Sequence, residues 1–444
     1  MSAVTQSSLF KKAAVIGSGF GGLALAIRLQ SAGIQTTILE SRDKPGGRAY
    51  YWEKEGFIFD GGPTVITDPD CLSQLWELTG NDMAKDIELM PVSPFYRLNW
   101  PDGTNFDYVN DPQELYANIA AIEPEDVEGY KKFLEYSGGL YEEGYVKLGT
   151  KAFLDFKSMI KAAPALMKYQ AYRSVYAKVS GFVKNEKLRE FLSFQTLLVD
   201  TIGDRASGVS CKSGWSERFD AVASNADVMH SYRDLLGHQH RSETVTAKLK
   251  KKSYSPSLFV VHFGMKGSWP GIPHHMILFG PRYKGLLEDI YDNGVLPSDF
   301  SLYLHHPTVT DPEMAPEGHS TFYVLAPVPH QGKLPIDWEV MGPIYKKRIL
   351  DEIGHRLIPD IHDRIITSFH YTPQDFGSDL NAHLGSAFSL EPLLTQSAWF
   401  RVHNRDDIIH NLYFVGAGTH PGAGIPGVVG SAKATAELML EDLA

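Results

Sequence analysis

Apolar and polar positions follow two different periods along this chain, and the switches between them mark its elements. Residues 13–16, Ala-Ala-Val-Ile, are a short continuous apolar run, the pattern of a strand buried on both faces, and Gly17 follows at once. Leu23, Leu25, Ala26 and Leu29 then recur at helical spacing up to Gly33, which stops the helix. Thr36-Thr37-Ile38-Leu39-Glu40 reads as a second strand, so the chain opens with a complete βαβ unit.

From about residue 69 to 199 the pattern turns helical, with Leu72, Leu75, Trp76 and Leu78 on one face and aromatic-rich amphipathic segments later, as in an inserted domain. Ser213-Gly214 between Val209 and Phe219 reads as a hairpin, and Ser224-Asn225-Ala226-Asp227 as a helix start. Leu258-Phe259-Val260-Val261 and Phe322-Tyr323-Val324-Leu325 predict a sheet floor. The chain then returns to a strand, Leu412-Tyr413-Phe414-Val415, a glycine-rich loop and a last helix from about Val428.

A chain of 444 residues exceeds what one core usually organises, so intertwined domains are expected. Its 53 acidic and 42 basic side chains leave a net charge of −11, which argues against a nucleic-acid-binding surface. Cys71 and Cys211 stand far apart and in no CxxC pair, so a disulfide framework or cysteine metal site is not expected and a reducing, cytoplasmic compartment is. Neither a secretory leader nor an apolar run long enough to span a bilayer is read in the sequence.

Gly17, Gly19 and Gly22 form G-x-G-x-x-G between a strand and a helix, the context in which this motif binds a dinucleotide. Gly17 permits the tight turn, Gly19 the approach of a pyrophosphate, and Gly22 close helix packing. Ser18 and Phe20 fill the loop, while the helix start offers unpaired N–H groups. Glu40, at the end of the second strand, is placed for the ribose hydroxyls. Three further glycine-rich segments indicate FAD rather than NAD. Gly46-Gly47-Arg48 can lie along a diphosphate and neutralise it, and Gly62-Pro63-Thr64 forms a second glycine-rich turn after the probable strand Phe57-Ile58-Phe59. Far along the chain, Gly416, Gly418, Thr419, His420, Gly424, Ile425, Pro426, Gly427 and Val428 lie in or just after a turn dense in glycine, suited to backbone contact with the flavin end.

These residues carry a resemblance. The run Asn411 to Ser431 resembles the signature of bacterial-type phytoene desaturases, and Gly17 to Gly22, Pro45 to Arg48 and Gly62-Pro63-Thr64 resemble that family's FAD motifs in order. Phe95-Tyr96-Arg97, Asp126 to Tyr130, Ala223 to Asp227 and Gly385 to Phe388 are similar too. The resemblance covers nearly the whole chain, with one departure. In the family, Leu197-Leu198-Val199 is followed by a block holding a Gly-rich turn, a helix and a strand that completes the FAD-binding sheet, whereas here Asp200-Thr201-Ile202-Gly203 follows directly. True loss would leave the sheet short; omission of a mobile stretch is the expectation.

The resemblance implies an α/β fold, a Rossmann-type FAD-binding domain with an inserted α+β substrate and membrane domain. Residues 1–68, 200–235 and 381–444 are expected to bind FAD, 69–199 to form a helical region associated with substrate or membrane, and 236–380 a substrate-domain sheet. The implied activity is the FAD-dependent introduction of double bonds into phytoene or a related polyene. Other FAD-dependent carotenoid or amine oxidase-like chemistry, or a non-catalytic lipid carrier, are the alternatives. Peripheral membrane docking is expected through residues 147–184, which hold eight basic side chains against the single acid Asp155. No catalytic base stands out: His420 either polarises the flavin or caps a turn, and His274-His275 and His305-His306 lack the spacing of a helical metal pair, so no metal is expected. The oligomeric state is left open.

Overall fold

The computed structural model describes residues 11–154, 168, 178–185, 187–188, 206, 208–211, 215–236 and 240–444. Strand β1 (Lys12–Ile16), helix α1 (Phe20–Ser31) and strand β2 (Gln35–Leu39) make the opening unit within a residue of its predicted bounds. β1 pairs in parallel with β2 on one side and with β9 (Ala221–Ser224) on the other, and β15 (Leu412–Phe414) pairs in parallel with β9. The four-stranded order β15-β9-β1-β2 therefore joins segments some 400 residues apart in the chain. Among the described residues β2 is its open edge, and Ile38 there is 38% exposed, as a sheet short of a strand would leave it.

The sheet is covered by α1, α2 (Asp70–Glu77) and the final helix α6 (Ile425–Leu443), whose Leu25, Leu29, Leu72, Leu75, Val429 and Met439 share one core with Val15 and Tyr413. Helix α6 begins three residues before the predicted Val428, because Pro426 in the first turn has no N–H to leave unsatisfied.

The second sheet is built from β5 (Tyr96–Asn99), β6 (Asn105–Tyr108), β10 (Ser257–Lys266), β11 (His275–Leu278), β12 (Leu302–His305), β13 (His319–Val328) and β14 (Ile365–Tyr371). Its seven strands run in the order β14-β10-β13-β12-β11-β5-β6. The stretch expected to be helical carries α2, α3 (Pro112–Ile122) and α4 (Asp126–Leu140), but also the hairpin β5–β6, which extends this sheet because β5 pairs in parallel with β11. One face of the sheet packs on α5 (Trp338–Arg356) through Phe259, Phe263, Phe322, Val324, Tyr345 and Ile353. Two hairpins complete the strands: β3 (Tyr51–Lys54) with β4 (Phe57–Asp60), and β7 (Gly208–Ser210) with β8 (Ser216–Arg218), the latter where Ser213-Gly214 predicts it. The junction Val199–Asp200 and most of 147–184 lie outside the described residues.

Candidate active site

The glycine motif is built as its spacing requires. A Cβ on Gly22 would stand 2.0 Å from the Gly17 carbonyl oxygen, so only glycine lets α1 pack this close to the strand it leaves. Gly19 is the N-cap of α1 and supplies no side-chain cap, and no acid occupies the first turn, which leaves its N–H groups and positive dipole available to an anion. Gly46 N–H donates to the Ser18 carbonyl at 3.0 Å, and Gly19 and Gly46 form a parallel bridge, so the two predicted glycine loops lie side by side. A Cβ on Gly62 would lie 2.7 Å from the Arg48 carbonyl, which brings the third turn to the same place.

Charge follows the same plan. Glu40 Oε2 accepts from Ser18 N–H at 2.7 Å and Ser18 Oγ at 2.6 Å, and Oε1 accepts from the N–H groups of Ser41 and Arg42. Burial opposes its ionisation, but these hydrogen bonds prevail and hold its carboxyl below the usual range. Arg48 keeps some exposure, yet its Nε and one terminal nitrogen are buried with no hydrogen-bond partner; burial lowers its pKa and Asp227 opposes that. A half-buried arginine with two idle buried nitrogens beside a helix N-terminus fits a diphosphate.

Sequence reasoning passes over one residue at the centre of this cradle. Asn225 would be met by a Cβ on Gly19 at 2.9 Å, on Gly21 at 2.6 Å and on Gly416 at 2.6 Å. Its side chain thus lies against both the first loop and the C-terminal one, and the signal for it was present in the Ser224 to Asp227 run, read as a helix start and as part of the family resemblance. Thr419 and His420 make their side-chain contacts within and beside the C-terminal loop. The Thr419 hydroxyl lies against Gly416, Ser431 and Asn404, and His420 Nε2 meets the Leu148 carbonyl at 2.9 Å, so both side chains hold the loop. Burial lowers the His420 pKa to about 4 and keeps it neutral. Ile425 packs into the core under the sheet, leaving the backbone from Gly424 to Val428 as the first turn of α6.

The histidine pairs also come together. β11 and β12 pair at His275 and His305, and a ring nitrogen from each of His274, His275 and His305 falls within 4.8 Å of the others. His274 Nε2 and His305 Nε2 stand 2.9 Å apart, one donating to the other, while His275 Nδ1 is 2.7 Å from the Tyr303 hydroxyl. His306 stays out of this group and stacks on Phe322. Burial pushes His274 to about 4 and His275 to about 3, so this is a network of neutral rings.

The family described as flavin containing amine oxidoreductase matches residues 20–202 and 198–440. The chain belongs to this family. It is a flavin-dependent oxidoreductase, and the cofactor that the cradle fits is FAD. A lycopene-forming phytoene desaturase from a Paracoccus species is 55% identical over 98% of both chains, and one from Pseudescherichia vulneris is 50% identical over 98% of this chain and all of the other. A neurosporene-forming phytoene desaturase from Cereibacter sphaeroides is 39% identical over 99% of this chain and 96% of its own. Among solved structures, cyclohexylamine oxidase from Brevibacterium oxydans shares the fold, with a TM-score of 0.57 at 14% identity, covering 98% of this chain and 99% of that one. A double mutant of putrescine oxidase does so too, with a TM-score of 0.57 at 12% identity, covering 97% and 99%. The Paracoccus alignment runs to 491 positions against a chain of 444 residues, so that relative carries positions with no counterpart in this flavoprotein. The two matched segments meet at residues 198–202, where the sequence reading places the break.

Proposed function

We propose that this flavoprotein is a phytoene desaturase, introducing double bonds into phytoene on the route to lycopene-type carotenoids. The observation that carries the reading is the 55% identity to a lycopene-forming phytoene desaturase across 98% of both chains. In this reading residues 1–68, 200–235 and 381–444 hold the cofactor, 236–380 supply the substrate-side sheet, and 69–199 face the membrane.

Bound FAD supplies a two-electron acceptor for hydride, which no side chain offers. The residues of the chain arrange the rest. The N-terminal turn of α1 and Arg48 hold the diphosphate, Glu40 accepts from the ribose, and Asn225 lies against both the first and the last loop. Trp52, Phe59, Phe369 and Tyr371 pack edge-on or tilted against one another, with Trp52 beside Gly61 in the turn after β4, an aromatic group suited to an apolar polyene. Asp60 ends β4 just before the turn Gly61–Thr64, and burial, with the charge of Asp311, raises its carboxyl to about 6. It can therefore hold or release a proton near neutral pH.

Phytoene is water-insoluble, and the same reading has the enzyme dock peripherally on a membrane through 147–184. Among the described residues no helix is long and apolar enough to cross one. At the two ends of this stretch Lys147 pairs with Glu143 and Lys184 with Glu125. The test of function is anaerobic addition of phytoene in liposomes to the yellow holoenzyme. Bleaching of the flavin is expected; flavin that stays oxidised with phytoene but bleaches with an amine overturns the reading.

A further inference from the structure

Three neighbouring strands of the seven-stranded sheet each send one side chain to the turn that follows β4. His262 on β10 places Nε2 3.0 Å from the Asp60 carbonyl, the Tyr323 hydroxyl on β13 donates to the Gly62 carbonyl at 3.2 Å, and the Tyr303 hydroxyl on β12 is 3.0 Å from Thr64 Oγ1. The spacing is regular on both sides. His262 and Tyr323 are direct cross-strand partners, His305 is the partner of Tyr323 on β12, and Tyr303 lies two residues before it on the same face. The turn is met at residues 60, 62 and 64, every second position, as though it were an irregular strand laid across the sheet.

These contacts are not ladder hydrogen bonds, and each is itself fixed from behind. His262 stacks on Phe369 with ring centroids 4.6 Å apart, and Tyr323 lies 5.7 Å from Tyr303 and 4.7 Å from His305. Tyr303 is held by His275 Nδ1 at 2.7 Å, which leaves its hydroxyl shared between that ring and Thr64. Burial lowers His262 to about 4, so it stays a neutral donor through its Nε2 and the Asp60 carbonyl remains satisfied. The Asp60 and Gly62 carbonyls are thus both taken up by side chains of the sheet.

We propose that His262, Tyr323 and Tyr303, the last backed by His275, are positioning residues that fix the Asp60–Thr64 turn against the flavin and thereby set the hydride-accepting geometry. The proposal rests on the flavin reading of that turn. It makes the substrate-side sheet, rather than the cofactor sheet, the element that sets reactivity. A few tenths of an ångström at the turn changes how hydride donor and acceptor meet, whereas flavin retention rests chiefly on the first glycine loop and the Arg48 side chain.

The test compares wild-type holoenzyme with Tyr303→Phe and Tyr323→Phe, using phytoene in liposomes. Each variant keeps its ring and loses one hydroxyl, so bound-flavin content is expected to stay at the wild-type level. The expected result is a fall of about tenfold in kcat with KM little changed, the size of one lost positioning hydrogen bond, together with a shift in the reduction potential of the bound flavin. Thr64→Val combined with Tyr303→Phe should then cost less than the sum of the two single changes. Variants that match wild type in kcat and potential overturn the proposal, as does a loss of stability with neither readout moved. Failure of the wild-type enzyme to bleach with phytoene would instead strike the flavin-desaturase reading itself.

Discussion

Asn225 occupies the space that Gly416 leaves, since a Cβ at position 416 would stand 2.6 Å from Asn225 Oδ1. The first and last loops of the cofactor site, far apart in sequence, therefore meet across one amide. Asn225→Asp puts a negative charge where the diphosphate is to sit and is expected to weaken FAD binding by about tenfold or more, read as flavin released on dilution. Unchanged retention would remove Asn225 from the site.

Gly19→Val is expected to yield apoprotein. A Cβ at that position already lies 2.9 Å from Asn225 Nδ2, and the branched side chain would project into the space at the start of α1 that the pyrophosphate needs. The check is the flavin-to-protein ratio after purification; a wild-type ratio contradicts the assignment.

Buried neutral histidines should make the fold labile to acid. His262, His274, His306 and His420 are each lowered by burial from 6.5 to about 4. The unfolded chain takes up protons first, so their stabilisation is full above about pH 6.5 and is lost as pH falls toward 4. Asp60 has the opposite sign: raised to about 6, its contribution is full below the unfolded value of 3.8 and is lost as pH rises through 6. Urea midpoints should fall from pH 7 to 5, and Asp60→Asn should raise the midpoint at about pH 8 by removing a buried charge that costs about 2–3 kcal/mol. An Asp60→Asn midpoint equal to wild type at that pH refutes the second point.

The open edge at β2 and the break after Val199 predict that the native enzyme carries an additional internal block. Its intact mass is expected to exceed 49.4 kDa. A measured mass of that value, with full phytoene turnover, shows that the four-stranded sheet suffices.

Changing Lys157, Lys161 and Lys168 to Glu together should release the protein from anionic liposomes. Wild-type co-sedimentation should need anionic lipid and weaken with added salt, because each basic side chain near such a surface contributes about 1 kcal/mol that ions screen. Equal sedimentation of the triple variant rules the surface out.

The βαβ opening was legible in the sequence because every signal in it is local. Ala13 to Ile16, the glycines at 17, 19 and 22, and Glu40 occupy one short stretch whose backbone geometry leaves little choice, and the family signature from Asn411 to Ser431 is contiguous as well. What the tertiary structure decided are relationships between residues far apart in the chain. Asn225 looked like a helix start and lies among the glycines of two loops; His275 and His305 stand in two pairs without helical metal spacing and face one another across a register that no short window contains. Tyr303 and Tyr323 are unremarkable as sequence, two more aromatics in a chain with 21 tyrosines, until strand order places them beside the Gly62–Thr64 turn. The physical reason is that periodicity reports which face of an element is buried but not what is buried against it. That partner is chosen by strand order and register, which long-range packing fixes only when the whole chain has folded.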